Sequence, residues 1–258
     1  MTQRIAVVTG ASSGIGRATA LRLAADGFHV LAVGRDERAL SDACREIERG
    51  GGSAERLVVD VTSDEAPGLI VGRAQAKIDA GVGRGIDALV NAAGIISAAA
   101  ISATTDADWD EMMTINVRAP FRILREAVPA LAARRGSVVN LSSVAGTRVF
   151  PGLLAYCVSK AAVDQLTRAA ALDLAPQGIR VNAVNPGVVV TNLHRRGGMD
   201  EGKYATFLEH SRMTHPLGRP GTSDEIAGLI AYLVSPAAAW VTGDTISIDG
   251  GRHLTCLR

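Results

Sequence analysis

Tyr156 and Lys160, in the run YCVSKAA, set a phenol and an ammonium four residues apart among otherwise small, apolar side chains. Residues at that spacing share one helix face. A free phenol titrates near about 10, too high for a general base at neutral pH. An adjacent ammonium stabilises phenolate and lowers that value, each unit being worth about 1.4 kcal/mol. The pair is therefore a candidate proton-transfer device. A second candidate lies near the start of the chain, where Thr9-Gly10-Ala11-Ser12-Ser13-Gly14-Ile15-Gly16 leads from RIAVV into the helical run RATALRLAADG. The GxxxGxG spacing permits a tight turn and lets backbone approach a pyrophosphate at a helix N-terminus. Taken singly, the first pair also reads as the polar edge of an amphipathic helix, and the second as an ordinary strand-to-helix turn.

These groups need a frame. Seven short runs rich in β-branched residues recur: RIAVVTG, FHVLAVG, ERLVVDV, IDALVNAAG, GSVVNLSS, IRVNAVNPG and DTISIDGG. They are nearly continuously apolar, as strands of a parallel sheet covered on both faces should be. Helical periods lie between them, as in 38–49, where Leu40, Ala43 or Cys44, and Ile47 share a face opposite Arg38, Asp42, Arg45, Glu46 and Glu48. The alternation predicts right-handed crossovers and an α/β fold: a Rossmann-like, doubly wound, parallel seven-stranded sheet with helices on both faces, one domain over 1–258. The pattern from Asp108 to Arg135 reads as one helix, but Pro120 removes a backbone donor at a cost of about 3 kcal/mol in a helix interior, so a break is expected around Asn116. Ligands of such sheets bind beyond the strand carboxyl ends. The second strand closes with Gly34-Arg35-Asp36, where an acid would bind a ribose 2′-hydroxyl and an arginine a 2′-phosphate; Asp36 reads equally as the cap of the next helix.

Composition narrows the field. The 258 residues are 47% hydrophobic but only 3% aromatic, so the core is built from Ala, Val, Leu and Ile. With 27 Lys plus Arg against 26 Asp plus Glu and no long run of either sign, no basic face for nucleic acid is expected. Cys44, Cys157 and Cys256 are far apart without CxxC spacing, which suits a reducing, cytoplasmic setting. The β-like run begins within five residues of Met1, so no signal peptide is expected. The uncharged windows 88–105 and 226–243 approach membrane-spanning length, yet polar residues interrupt the first and Pro236 the second, so both read as buried soluble elements. His29, His194, His210, His215 and His253 lack ligand spacing, so no catalytic metal is expected.

Taken in order, TGxxxGIG, the Asp60-Val61 pair, NAAG at 91–94, Asn116, Ser143, YxxxK, NPGxVxT at 185–191 and VTGDTISIDGG resemble the short-chain dehydrogenase/reductase family over essentially the whole chain. The resemblance implies Tyr156 as general acid/base, Ser143 bonding the same substrate oxygen, Lys160 holding the nicotinamide ribose and Asn116 positioning a relay water. The positive charge of oxidised nicotinamide would join Lys160 in favouring phenolate. The cofactor site it implies comprises Gly10, Ser12, Ser13, Gly14, Ile15, Gly16, Arg35, Asp60, Val61, Asn91, Ala92, Gly94, Tyr156, Lys160, Pro186, Gly187, Val189 and Thr191. Asp60 and Val61 would hold the adenine, Asn91 and Gly94 the ribose, and Val189 with Thr191 the carboxamide. Gly34 stands where NAD-preferring members carry an acid, and Arg35 resembles the basic residue of NADP-preferring members. NADP(H) is the expected cofactor, with NAD(H) as the alternative. Two departures are Ala92, where a second asparagine is common, and Ser13, where some NADP-preferring members are basic.

The segment 192–216, with Gly197, Gly198 and Gly202, reads as a substrate-binding loop or lid. Met199, Phe207, Leu208 and Met213 are candidates for an apolar pocket and Arg195 and Arg196 for an acidic group, but most of them are expected to pack or face solvent, and they do not identify the substrate. The expected partner is a small carbonyl or alcohol: a 3-oxoacyl thioester, sugar, polyol or steroid. The segments 108–135 and 155–175 resemble the helices through which family members pair, so a homotetramer, or alternatively a dimer, is expected, without membrane or nucleic-acid partners. A cofactor sensor without turnover, and epimerase or dehydratase chemistry, are the competing readings.

Overall fold

A computed structural model describes residues 3–255; Cys256 lies outside the described residues. Strands β1 (Arg4–Thr9), β2 (Phe28–Gly34), β3 (Ser53–Val58), β4 (Ala88–Asn91), β5 (Ser137–Leu141), β6 (Arg180–Pro186) and β7 (Thr245–Ile248) form one parallel sheet in the order β3-β2-β1-β4-β5-β6-β7. Six of the predicted apolar runs hold one strand each, and the third overlaps β3, which starts two residues earlier at Ser53. Consecutive residues explain why the runs do not alternate: Val8, Val30 and Val139 enter one buried layer, whereas Val7, Leu31 and Val138 enter the other. The first layer is closed by α1 (Gly14–Ala25), α2 (Glu37–Arg49) and α9 (Ser223–Val234), the second by α3 (Ala66–Asp79), α5 (Ala119–Ala132) and α6 (Leu154–Leu174).

The two edge strands depart from that pattern. In β3, Arg56 and Val58 are exposed, and in β7 only partial burial is reached, because an edge strand has one neighbour and less helix above it. β3 also stops at Val58, leaving Asp60 and Val61 on the connection, where Asp60 accepts hydrogen bonds from the Thr62 N–H and hydroxyl at 2.9 and 2.8 Å.

The expected break before Pro120 is a π turn over Thr114–Arg118, between α4 (Asp106–Met113) and α5. Pro120 has no N–H to offer the Asn116 carbonyl four residues earlier, so regular α-helical bonding stops there. The 192–216 segment is corrected from loop to helix: α7 (Leu193–Arg196) and α8 (Glu201–Thr214), the latter capped by Asp200, which accepts from Lys203 N at 2.8 Å. The glycines confine themselves to the corner between the two helices and the first turn of α8, with Gly198 at φ +90°. Residues 88–105 hold β4, and 226–243 hold most of α9 and the turn at Pro236. Among the described residues no helix is long and apolar enough to cross a membrane.

Candidate active site

Strand order reverses between β1 and β4, and a two-lobed cleft opens beyond the carboxyl ends of the strands there. Ile15, Gly94, Leu141, Thr191 and Leu193 line both lobes. The outer lobe, about 420 Å³, is floored by the glycine loop. Gly10, at φ +68°, faces the β4 end so closely that a Cβ would lie 2.8 Å from the Ala92 carbonyl. A Cβ on Gly16 would collide with the Gly10 carbonyl, so the loop folds only with glycine at both. Ser13, the N-cap of α1, makes no side-chain cap bond, which leaves the first amides of α1 facing an anion-sized space. This cradle fits a dinucleotide pyrophosphate.

At the far end of that lobe lie Gly34, Arg35, Asp36, Asp60 and Val61. The alternative weighed for Asp36 is realised: its Oδ1 accepts from Ala39 N at 2.9 Å and caps α2. Arg35, with its side chain 69% exposed, pairs with Asp60 at 3.5 Å. The Thr62 amide, ahead of its hydroxyl and Arg35, holds the Asp60 carboxyl below its usual range. One predicted residue points elsewhere. Asn91 is buried within β4, its amide donating to Asn140 Oδ1 at 2.9 Å, and Ala92, Ala93 and Gly94 line the cleft in its place.

The inner lobe, about 360 Å³, gathers Ser143, Tyr156 and Lys160 with Pro186, Gly187, Val189 and Thr191. Ser143 follows β5 and caps a 3₁₀ turn over Val144–Gly146, its Oγ accepting from Ala145 N at 3.1 Å. Tyr156 is 7% exposed and Lys160 5%. Burial pushes the phenol up to about 12, a hydrogen bond with Ser143 working the other way. The amine is not among the groups that move the phenol in the protein by itself: Lys160 Nζ lies 5.7 Å from the Tyr156 ring centroid and donates to the Leu141 carbonyl at 2.8 Å. Burial in turn brings Lys160 down to about 8, Asp164 opposing it. Asn116 sits behind both, its side chain accepting from Ile95 N at 2.9 Å and donating to Ser159 Oγ at 3.0 Å. A Cβ on Gly94 would come 3.1 Å from Asn116 Oδ1 and 3.7 Å from Lys160 Nζ.

The loop after β6 is pinned from below. The Val188 N–H donates to His215 Nε2 at 3.1 Å, and the Tyr204 hydroxyl accepts from Thr191 N and donates to its carbonyl. Of the apolar candidates for the pocket, Phe207 lines it, its ring tilted by 54° at 4.5 Å from that of His194, whereas Met213 faces solvent. Arg195 is held by Glu201 at 2.6 Å and lies over Tyr204; Arg196 lines the outer lobe. His194, His210, Phe150 and Arg252 also line the inner lobe. Nothing in the sequence marks them, because they converge from α7, α8, the stretch after the 3₁₀ turn and the C-terminal end without shared spacing. Among the described residues no cluster of three metal-ligating side chains occurs.

With this geometry in hand, comparison with known proteins is specific. The family model described as enoyl-(acyl carrier protein) reductase matches residues 10–253. Galactitol 2-dehydrogenase (L-tagatose-forming) of Cereibacter sphaeroides is 39% identical over 249 residues, covering 95% of this chain and 93% of its own. The 3-oxoacyl-[acyl-carrier-protein] reductase of Thermotoga maritima is 37% identical over 249 residues, covering 96% and 97%. A solved short-chain dehydrogenase/reductase of unknown function from Caenorhabditis elegans, with cofactor, has TM-score 0.90 and 32% identity over 98% of this chain and 96% of that one. The chain belongs to the short-chain dehydrogenase/reductase family and is an NAD(P)-dependent oxidoreductase.

Proposed function

We propose that this protein interconverts a ketone and a secondary alcohol carried on an apolar frame, with NADP(H) as the cofactor. The observation that carries this reading is the meeting of Ser143, Tyr156 and Lys160 in the inner lobe, next to the surfaces it shares with the glycine-lined outer lobe. The bound nicotinamide supplies the hydride. Tyr156 handles the proton: with its phenol at about 12, it keeps that proton until negative charge grows on a carbonyl oxygen, then donates it. In the opposite direction phenolate must form, and the Lys160 cation favours it. The Ser143 hydroxyl bonds the same oxygen as charge develops. Lys160 holds the nicotinamide ribose, and the Asn116 carbonyl, left without its Pro120 donor, holds a relay water.

Gly10, Ser12, Ser13, Gly14, Ile15 and Gly16 cradle the pyrophosphate, with Arg196 on the opposite wall as a cation. Asp60 and Val61 flank the adenine; Ala92 and Gly94 border the ribose; Pro186, Gly187, Val189 and Thr191 hold the carboxamide. NADP(H) is favoured because Asp36 is committed to capping α2, while Arg35 makes only an exposed ion pair that a 2′-phosphate can replace. The substrate class follows from the walls: Ile96, Val144, Ala145, Phe150, Leu153 and Phe207 suit an alicyclic or acyl carbon frame better than a polyol. Trp109, Phe121, Val158 and Leu172 leave apolar area exposed on α4, α5 and α6, which supports a homotetramer built on those faces.

The test is a panel of cyclic ketones, a 3-oxoacyl thioester and ketoses, followed at the dihydronicotinamide absorbance with each cofactor. Fastest turnover of an apolar ketone with NADPH is expected. A preference for NADH overturns the assignment of Arg35, a preference for ketoses overturns the substrate class, and no turnover of any member overturns the proposal. A monomer in sedimentation at micromolar concentration overturns the assembly.

A further inference from the structure

Beneath the inner lobe α6 carries a carboxylate to which the reaction above gives no task. Asp164 follows Lys160 by one helical turn on the same face and is 2% exposed. Its Oδ2 accepts from Asn185 Nδ2 at 3.0 Å, and the same amide donates to the Ser143 backbone carbonyl at 3.0 Å. One side chain of β6 thus ties the helix of Tyr156 and Lys160 to the turn of Ser143. Gly146 ends that turn against the carboxylate. A Cβ there would fall inside contact distance of Asp164 Oδ2 and 3.0 Å from the Lys160 carbonyl, so the turn closes on α6 only with glycine at this position.

The second carboxyl oxygen, Oδ1, is buried without a hydrogen-bond partner among the described residues. A buried carboxylate left half unpaired is costly unless a cation offsets it. The cations that act on it, Arg168 and Lys160, both lie on α6. From the Ser143 turn and from β6 the facing groups are neutral, Ser142 and Asn185; Ser142 donates to the Lys160 carbonyl at 3.1 Å. Lys160 has the complementary need, since its Nζ donates to a neutral carbonyl in a dry site. Burial pushes the Asp164 carboxyl up, with Ser142, Asn185, Arg168 and Lys160 opposing it.

We propose that Asp164 is a positioning residue: it keeps the Lys160 amine cationic inside the pocket floor and, through Asn185, fixes the turn that presents Ser143 to Tyr156. The proposal rests on the roles given above to Lys160 and Ser143.

Asp164→Asn preserves side-chain size and an acceptor for Asn185 while it removes the charge and puts an amide NH2 at the Oδ1 position. Its kcat is expected to fall about 10-fold with KM for the carbonyl within about twofold, and the alkaline limb of kcat to move about one pH unit lower. NADPH affinity, read from nicotinamide fluorescence, is expected to weaken at a correspondingly lower pH, and this readout needs no turnover. Limbs that superimpose on those of the parent overturn the charge role. Gly146→Ala is the partner variant: its Cβ presses the turn away from α6 without removing the carboxylate's charge, so kcat should fall at least about fivefold with the alkaline limb in its parental place. An unchanged kcat in that variant overturns the positioning of Ser143, and it can be read even if Asp164→Asn does not fold. Failure of the parent to reduce any carbonyl would instead count against the proposed reaction, while the binding measurement still decides the role of Asp164.

Discussion

The two lobes of the cleft use charge in opposite ways. In the outer lobe Arg35 is largely and Asp60 partly exposed, 3.5 Å apart, and the surface proposed to receive phosphate is backbone at the α1 N-terminus. Such charges are hydrated and screened, so each contributes little alone and can be exchanged for a ligand group. In the inner lobe Tyr156 and Lys160 are almost completely buried, and burial moves both from their ordinary values. On the proposed function, binding is thereby entrusted to replaceable contacts and proton transfer to groups whose protonation the fold dictates. Substitutions should consequently divide into two kinds, one changing affinity and the other changing rate.

The largest effect expected is on rate. Tyr156→Phe removes the proton carrier and should lower kcat by about 10³-fold while NADPH affinity stays within about twofold. Single-turnover kinetics and a binding isotherm check both halves, and a loss of affinity matching the loss of rate would erase the distinction between the lobes. The next effect is on stability. Lys160 titrates near about 8 when folded and about 10.4 when unfolded. Between those values the unfolded chain binds more protons, so this group makes stability rise with pH across that window. The full contribution is on the order of 3 kcal/mol. Urea denaturation at pH 7.5 and pH 10 should show this rise in the parent, set against a flatter dependence in Lys160→Met. Parallel dependences would mean that the amine is hydrated after all.

In the outer lobe the expected changes are smaller and confined to affinity. Arg35→Ala should weaken NADPH about 10- to 30-fold and leave NADH nearly unchanged, as loss of one charge-assisted phosphate contact implies. Gly34→Asp sharpens the test. A Cβ there meets Ser12 Oγ at 3.5 Å, ordinary contact, so a side chain can start from this position at the ribose end of the lobe. Preference should move toward NADH; an unchanged ratio of the two affinities would place the 2′-phosphate away from β2.

The same contrast governs how much could be read from sequence. The floor of the outer lobe, Gly10 to Gly16, was legible because a strand end, a glycine turn and a helix start are local, and Arg35 and Asp60 because each follows directly on a strand. Tyr156 and Lys160 were legible because helical spacing joins them. His210 and Arg252 were not, because their meeting depends on how α8 and the C-terminal end pack around the lobe. The helices of 192–216 escaped because α8 has no amphipathic period, burying Tyr204, Ser211 and Thr214, and because three glycines lie at its start and before it, although Asp200 three residues before Lys203 was a cap signal. Asn91 shows the converse: a motif position can be recognised while the direction of its side chain, here toward Asn140, depends on the neighbouring strand. The shift of Tyr156 is a property of burial, and sequence spacing supplied the charge beside it without the dryness around it.

Arg196 offers the smallest effect and the finest test. Its neighbour Arg195 is held by Glu201, Asn192 and the Tyr204 ring, whereas Arg196 lines the outer lobe with no ion pair among the described residues. The glycine loop itself carries no basic side chain, Ser13 standing where some NADP-preferring members are basic, so in the proposed cofactor placement Arg196, a lining residue of the outer lobe, is the cation assigned to the pyrophosphate. Both cofactors share that group. Arg196→Gln should therefore weaken NADPH and NADH by the same factor, about three- to tenfold, in contrast to the selective loss in Arg35→Ala. ADP-ribose, which keeps the pyrophosphate but lacks nicotinamide, should lose the same factor in calorimetry, and the loss should shrink in 0.5 M salt because the contact is exposed. A loss confined to NADPH would move Arg196 to the 2′-phosphate, and a loss of kcat with affinities intact would assign it to the inner lobe.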